Sequence, residues 1–284
     1  MELKRYVDLH THTTCSDGTF TPEELVKLAA QRGIEVLAIT DHDNVSGVKR
    51  AMLEANNWGV KVIPGIECST TFEIGKRHIL GYGIDTESEI LKKYISRCKQ
   101  DRLDKVCKIL DKLKALGMNI TFEEVLKFPG SGSVGRPHIA LAMLEKGYVQ
   151  SIKEAFDLYI DKGKPAYATV RTISVEEVID TIKQAGGIAV LAHPSQMRFN
   201  NINYTLAEAE RLVAMGLEGI EVVYPGHDKD ECYSYAAYAL RRNLYVTCGS
   251  DFHGEIKPNK LASCFYNGDK VSVDAIKKFG RTFF

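Results

Sequence analysis

Short apolar runs alternate with helical patterns along most of the chain. Runs rich in Val, Ile and Leu are four to eight residues long, which is typical of strands buried on both faces. We predict seven such strands: Tyr6–Leu9, Val36–Thr40, Val60–Ile66, His78–Ile84, Ile188–Ala192, Gly219–Tyr224 and Leu244–Cys248. Helix starts lie between them, where Thr21, Thr121 and Ser174 each precede a Glu by three residues, the spacing of a capping box. Strands that alternate with helices predict an α/β fold with a parallel sheet, closed or nearly closed into a barrel.

The alternation breaks between about 86 and 170, where only helical patterns occur. They cover Ser88–Leu116, Thr121–Lys127, Arg136–Glu145 and Ser151–Tyr159. We therefore predict that residues 86–170 form a helical insertion between the fourth and fifth strands. Residues 1–85 and 171–284 would form the barrel.

Composition narrows the functional class. The 284 residues are 44% hydrophobic and 26% charged, which excludes wholesale disorder. The 37 basic and 37 acidic side chains leave no net charge, which argues against a protein that holds long nucleic acid by bulk charge. No run of about 18 apolar residues exists, so we expect no transmembrane helix. The first residues lack an apolar signal segment, and the seven cysteines form no C-x-x-C pair, so we expect a cytoplasmic protein with reduced thiols.

The first candidate chemistry lies at the end of the first strand. His10 and His12 are two residues apart, so on a strand their side chains share a face and can point at one ion. Asp8 lies on the same face, where it could accept a hydrogen bond from a histidine ring. The H-x-H pattern alone leaves two structural histidines about as plausible as a metal site.

Further titratable residues stand at the other predicted strand ends. Six of the eight histidines fall there, and acidic residues accompany them. In parallel α/β barrels the active site lies at the edge where the strands end. The sequence therefore predicts a polynuclear metal site from His10, His12, Asp17, His42, Glu67, His78, His193, Asp251 and His253. His138 and His227 lie outside the pattern.

These motifs resemble those of the polymerase and histidinol phosphatase (PHP) family of metal-dependent phosphoesterases. The matching segments are H-x-H at 10–12, S-D-G at 16–18, T-D-H-D at 40–43, G-I-E at 65–67, A-H-P at 192–194 and G-S-D-x-H at 249–253. The chain is most similar to the stand-alone subgroup, whose members are nucleoside 3′,5′-bisphosphate phosphatases with a helical insertion. The resemblance implies a distorted seven-stranded (βα)7 barrel that holds three divalent metal ions.

The resemblance also implies a ligand set. The first metal would take His10, His12, Glu67 and Asp251; the second would take Glu67, His78 and His193; the third would take Asp17, His42 and His253. Nitrogen and oxygen donors without sulfur suit Mn²⁺, Fe²⁺ or Zn²⁺, and the sequence leaves the choice open.

Charge suggests a mechanism for such a site. Three divalent ions among three carboxylates leave a formal charge of about +3, which attracts a phosphate dianion. We hypothesise in-line attack on a phosphomonoester by a metal-bridging hydroxide, since metal binding lowers the pKa of water from 15.7 to about 7. Asp43 and His227 are the candidates for protonating the leaving group. Asp43 is equally plausible as the cap of the helix that leads to Val48.

Basic residues outside the metal motifs are candidates for binding the substrate. Arg136 in the insertion could form a bidentate contact with phosphate, and His138, Lys164 and Arg198 are further candidates. A small mouth lined by an insertion that caps the active site suits a mononucleotide better than a duplex. We therefore expect a small phosphorylated nucleotide as substrate, without a membrane partner.

Four alternatives stay open. The same metal chemistry serves a 5′-to-3′ exonuclease on short RNA, and a histidinol-phosphate phosphatase shares the metal set. Related barrel enzymes hydrolyse amides, but they commonly use a carboxylated lysine, and no lysine lies at a strand end among these motifs. A non-enzymatic polymerase accessory module often loses ligands, whereas all nine are present here.

Overall fold

A computed structural model describes residues 5–71, 76–128, 134–170, 173–197, 202–255, 257–263, 265–266 and 269–284. The chain divides into two compact units. One comprises Met1–Tyr94 with Ile173–Phe284, and the other comprises Ile95–Thr172. The prediction that the helical segment caps the active site stays a prediction.

The first unit is built on a seven-stranded sheet. Its strands are β1 Tyr6–Asp8, β2 Ile34–Ile39, β3 Lys61–Thr71, β4 Lys76–Tyr82, β5 Ile188–Leu191, β6 Gly219–Val223 and β7 Tyr245–Cys248. Neighbours in space are neighbours in sequence, from β1 to β7. A separate antiparallel pair joins β8 Phe265–Tyr266 to β9 Asp269–Lys270. The predicted α/β class and the predicted strands are confirmed.

The expectation that every strand is parallel was wrong for β4. This strand runs antiparallel to both β3 and β5, while the other neighbouring pairs are parallel. Only four residues separate Thr71 from Lys76, whereas a parallel crossover needs about a dozen or more. Reversal brings the start of β4 to the edge where the parallel strands end, and Ser69 pairs with His78 there.

A closed barrel is not confirmed. In the part of the chain that the structure describes, β1 and β7 share no ladder and stand at the two ends of the strand order. Single contacts join them instead: the Leu9 N–H donates to the Cys248 carbonyl at 3.0 Å, and Thr11 forms an isolated bridge with Phe252.

Ten α-helices occur among the described residues. They are α1 Pro22–Gln31, α2 Val48–Trp58, α3 Glu89–Ala115, α4 Phe122–Leu126, α5 Arg136–Glu145, α6 Ile152–Ala155, α7 Val175–Gln184, α8 Ile202–Ala214, α9 Lys229–Arg242 and α10 Val273–Phe279. A π-helical turn, Phe156–Ile160, follows α6, and a 3-10 turn, Pro194–Met197, follows β5. The predicted caps are confirmed, because Thr21, Thr121 and Ser174 each accept a hydrogen bond from the backbone N–H of the Glu three residues later.

Each unit has its own apolar core. In the first, Leu25, Val26 and Ala29 of α1 belong to one buried cluster with Leu37 and Ile39 of β2. In the second, a buried cluster joins the C-terminal half of α3 to α4 and α5. Among the described helices, none combines the length and the apolarity needed to cross a membrane.

Candidate metal centre

Glu67 is the centre of the candidate site. It is fully buried within β3, and five imidazoles surround its carboxylate. Its Oε2 atom lies 3.3 Å from His10 Nε2, 3.2 Å from His12 Nε2 and 3.1 Å from His42 Nδ1. Its Oε1 atom lies 2.7 Å from His78 Nδ1 and 3.1 Å from His193 Nε2. One carboxylate thus gathers five histidines from four separate parts of the chain.

Asp251 forms the second acidic point, just after β7. Its Oδ1 atom lies 3.3 Å from His12 Nε2, 3.7 Å from His10 Nε2 and 3.4 Å from His253 Nδ1. Asp251 and His193 both have left-handed backbones, with φ of +53° and +26°. Residues other than glycine adopt this conformation at a cost of about 1–3 kcal/mol, and such strain is concentrated at functional sites.

Asp17 forms the third acidic point, in the loop after the first two histidines. Its Oδ1 atom lies 3.2 Å from His253 Nε2 and 3.7 Å from His12 Nδ1, and its Oδ2 atom lies 3.8 Å from His42 Nε2. The Asp17 side chain is 50% exposed, whereas those of Glu67 and Asp251 are buried. The site therefore opens to solvent on the Asp17 side.

The ligand atoms form three overlapping groups, and within each group they lie within 4.8 Å of one another. The groups are His10, His12, Glu67 and Asp251; His12, Asp17, His42 and His253; and His42, Glu67 and His78. His193 joins the last group through its contact with Glu67. The structure thus brings all nine sequence-predicted side chains into one cluster.

Buried nitrogens without hydrogen-bond partners test whether a cation fits. Within the described ranges, such atoms include His10 Nε2, both ring nitrogens of His12, His42 Nδ1 and His253 Nε2, together with Glu67 Oε2. Buried polar atoms are normally satisfied, so a collection of unpaired ones facing each other needs a partner. Imidazole and carboxylate donors suit divalent transition metals, and the residues present therefore fit such ions.

The electrostatics favour the same conclusion. Burial lowers the pKa of His12, but the carboxylates of Asp251 and Glu67 outweigh burial and raise it to about 9. Burial would raise the pKa of Glu67, yet the imidazoles of His42, His78 and His10 hold it well below its usual range. The carboxylates thus stabilise positive charge where water is excluded, and divalent cations supply that charge without protonating the rings.

Comparison with known proteins identifies the family. A sequence model of the PHP domain matches residues 8–221. The chain belongs to the PHP family. It is 33% identical over 252 residues to a 3′,5′-nucleoside bisphosphate phosphatase of Chromobacterium violaceum, with 87% of each chain covered. It is 34% identical over 254 residues to a 5′-3′ exoribonuclease of Haemophilus influenzae, which covers 88% of this chain and 90% of that protein.

A structural neighbour agrees with this family. A solved chain of Bifidobacterium adolescentis, described as a metal-dependent phosphoesterase, matches with a TM-score of 0.77 and 30% identity over 98% of this chain and 97% of that one. This PHP-family protein is therefore a metal-dependent phosphoesterase, a hydrolase of phosphate esters, and its His/Asp/Glu cluster can hold metal ions.

The expected role of Asp8 was wrong. Its carboxylate contacts no histidine ring among the described contacts and instead accepts hydrogen bonds from Ser250 N–H at 2.9 Å, Ser250 Oγ at 2.6 Å and Ala262 N–H at 2.8 Å. The Asp8 side chain of the PHP domain therefore stabilises the loop that carries Asp251. The reason is that β1 ends beside β7, so the nearest donors belong to the loop after β7.

Three further residues at this PHP site were not predicted from the sequence. Glu221 Oε1 lies 3.1 Å from His10 Nδ1, and Glu221 Oε2 accepts the His193 backbone N–H at 2.7 Å. Glu221 was recognisable as the one charged residue in the apolar strand Gly219–Val223. Asp41 accepts from Thr13 N–H and Oγ1, both at 2.7 Å, and its signal in the sequence was its place directly before His42. Lys257 places Nζ 3.1 Å from Asp251 Oδ2, and no pattern marked it.

The two candidates for proton transfer are both placed in the first unit. Asp43 Oδ1 accepts from Ser69 N–H and Tyr94 OH, each at 2.9 Å. The alternative that Asp43 caps the next helix was wrong, because α2 begins after Gly47, which lacks a side-chain cap. His227 Nδ1 lies 2.9 Å from the Val222 carbonyl, and its buried Nε2 has no partner among the described residues.

The substrate-binding candidates belong mostly to the helical unit. Arg136 begins α5 and donates to Asp161 Oδ1 at 2.9 Å, and its guanidinium lies 5.4 Å from the Phe156 ring centre. His138 Nδ1 accepts from the Gly135 N–H at 3.2 Å, and burial lowers its pKa. Lys164 is exposed, and its backbone N–H donates a hydrogen bond to the Asp161 carbonyl. Arg198 lies outside the described residues.

Proposed function

We propose that this PHP enzyme removes the 3′-phosphate from nucleoside 3′,5′-bisphosphates. The observation that carries the proposal is that six imidazoles and three carboxylates, Glu67 among them, converge in one cluster. The chain is also 33% identical to a relative named for that activity. The neutral net charge of the chain also suits a small substrate better than a long polyanion.

The proposal includes three metal ions of Mn²⁺, Fe²⁺ or Zn²⁺. His10, His12, Glu67 and Asp251 would hold the first, Glu67, His78 and His193 the second, and Asp17, His42 and His253 the third. Its support is that the ligand atoms form three overlapping groups and that several buried ring nitrogens lack other partners among the described residues. When bound, divalent ions acidify coordinated water and offset charge on phosphate oxygens.

Two residues of the chain bear on how the phosphate reaches the cluster. Asp17 lies on the solvent-facing side of the cluster, so we place the entry of the phosphate there. Lys257, beside Asp251, adds a cation at the same cluster. The Lys257 ammonium favours an anionic group at the centre and acts before any bond is broken.

The leaving group needs a proton, and Asp43 and His227 stay the candidates. Burial lowers the pKa of His227, so its ring is neutral at pH 7. With the Nδ1 proton donated to the Val222 carbonyl, Nε2 is an acceptor, which suits a base better than an acid. Asp43 follows His42 directly, and Ser69 and Tyr94 fix the place of its carboxylate, so the position of Asp43 beside the cluster is what supports its choice.

Recognition of the second phosphate would fall to the helical unit as a cap. Arg136 is the first candidate because a guanidinium can form two parallel hydrogen bonds with phosphate. His138, Lys164 and Arg198 are the others. Arg136 is held by Asp161 and Phe156, so its orientation is already restricted before the substrate binds.

A second candidate function is 5′-to-3′ trimming of short RNA. The relative from Haemophilus influenzae that carries this name is as similar to the chain as the bisphosphate phosphatase is. The two activities differ in the bond that breaks, a phosphomonoester or a phosphodiester, and the same cluster can serve both.

A substrate panel separates the two. Adenosine 3′,5′-bisphosphate, AMP, histidinol phosphate, 5′-phosphorylated short RNA and an N-acyl amino acid are each incubated with the Mn²⁺-loaded enzyme, and products are separated chromatographically. We expect the bisphosphate to give AMP and free phosphate with the highest kcat/KM. Higher kcat/KM on RNA would establish the second function, and turnover of the amide alone would overturn both.

A further inference from the structure

Glu221 is a fully buried carboxylate in the middle of β6. Each of its oxygens contacts a different proposed metal ligand. Oε1 lies 3.1 Å from His10 Nδ1, and Oε2 accepts the backbone N–H of His193 at 2.7 Å. Asp8 and Asp41, which are also buried, accept from backbone and hydroxyl groups, and the one ligand contact of Asp8 among them is the His10 backbone N–H at 3.4 Å. Glu221 thus joins two ligands that come from β1 and β5.

The contact determines where the ring proton of His10 lies. An ionised carboxylate can only accept hydrogen bonds, so it requires a proton on Nδ1 of His10. In a neutral ring that proton leaves Nε2 with a lone pair. His10 Nε2 lies 3.3 Å from Glu67 Oε2 and 3.7 Å from Asp251 Oδ1, so in the neutral ring the lone pair faces two carboxylates, an arrangement that a metal cation between them would satisfy.

The surroundings leave Glu221 little freedom. A Cβ atom added at Gly249 would lie 2.1 Å from His10 Cβ and 2.8 Å from Glu221 Oε1, so only glycine fits against this pair. At the other oxygen, the accepted N–H belongs to a residue with φ of +26°. The hydrogen bond from His193 therefore also holds a strained backbone in place.

We propose that Glu221 is a positioning residue for the metal centre. It holds His10 in the Nδ1–H tautomer and fixes the backbone of His193, so that both rings present Nε2 to the same cluster. The proposal rests on the proposed metal-dependent function. Outer partners of this kind change metal affinity by about 10–100-fold when they are lost.

Glu221→Gln tests the proposal because an amide has one acceptor oxygen for two donors. If that oxygen accepts from His193, the NH₂ group faces His10 Nδ1 and donates to it, which moves the ring proton to Nε2. We record two-bond ¹H–¹⁵N spectra of the metal-free protein at a pH high enough to leave one proton on the His10 ring. We expect that proton at Nδ1 in the wild type and at Nε2 in Glu221→Gln. The His10 signal is the one missing from His10→Asn.

Metal affinity is the second measurement. Titration of Mn²⁺ against a chelating indicator should give a Kd about 10–100-fold higher for Glu221→Gln than for the wild type. Glu221→Asp, which keeps two acceptor oxygens, should recover the Nδ1–H tautomer and part of the affinity. Glu218→Gln, the same change just before β6, is the matched control and should leave both readouts unchanged.

Two outcomes would overturn the proposal. One is a singly protonated wild-type His10 ring whose proton lies on Nε2, an observation that does not depend on a variant. The other is a folded Glu221→Gln with wild-type tautomer and wild-type Mn²⁺ affinity. Neither measurement involves a phosphate ester. The role of Glu221 can therefore be supported or refuted independently of the outcome of the substrate panel.

Discussion

Oε1 of Glu67 lies 2.7 Å from Nδ1 of His78, across the antiparallel pair of β3 and β4. Glu67 pairs with Leu80 in the ladder, so His78 is its diagonal neighbour on the same face of the sheet. This contact exists only because β4 is reversed. A parallel β4 would carry His78 to the opposite edge, away from the ends of β1, β2, β5 and β7.

Glu67→Gln should remove metal binding more completely than any other single change. The variant keeps the shape of the side chain but removes the negative charge that five imidazoles share. We expect Mn²⁺ affinity and phosphoesterase kcat each to fall by about 100-fold or more. Metal content after dialysis and initial rates measure the two effects.

Glu23→Gln is the control for that change. Glu23 forms an exposed ion pair with Arg50 at 2.7 Å, and surface pairs contribute little. We expect unchanged metal content and rate in this variant. Normal metal content in Glu67→Gln would remove Glu67 from the ligand set.

Chelation of the metal should lower the melting temperature. A cation that binds only the folded chain, present at 100 times its Kd, stabilises by about 2.7 kcal/mol, which corresponds to about 5 °C or more for a chain of this size. Scanning calorimetry of the chelated and Mn²⁺-reloaded protein measures the shift. His193→Ala should fold yet show a smaller shift, and an equal shift in the two proteins would contradict the role of His193 as a ligand.

Asp8→Asn should destabilise the first unit by about 2–3 kcal/mol. Asp8 accepts hydrogen bonds from three donors of Ser250 and Ala262, and an amide would turn a donor toward one of them. Urea denaturation of the metal-free protein measures the loss. Asp85→Asn is the control, because exposed Asp85 accepts one local N–H from Glu87, and we expect little change there. Equal stability of the two variants would refute this account of Asp8.

Arg136→Ala should raise KM about 10-fold for adenosine 3′,5′-bisphosphate and leave KM for AMP nearly unchanged. The reason is that only the bisphosphate offers a second phosphate to the guanidinium. Steady-state kinetics on both substrates measure the difference. Lys153→Ala is the control, since its ammonium is exposed on the same unit and pairs with Asp157. A similar rise for both substrates would remove Arg136 from the recognition of the second phosphate.

Local patterns in the sequence determined much of this protein. Apolar runs marked all seven strands of the sheet, and the Thr21, Thr121 and Ser174 caps marked helix starts. These signals are local because backbone hydrogen bonding and strand alternation act over a few residues. The nine candidate ligands could also be predicted. Each histidine or acid stands close to the end of a predicted strand, and that pattern involves only residues near each other in the sequence.

Only the tertiary structure decided how these elements pair. In the structure β4 runs antiparallel to its neighbours, and Asp8 contacts the loop after β7 rather than a histidine ring. Lys257 lies beside Asp251. The tertiary structure also joins Glu221 to His10, although 211 residues separate them along the chain. Such contacts depend on which strands lie side by side, and the free energy that selects them comes from burying whole faces of the sheet rather than from any short segment.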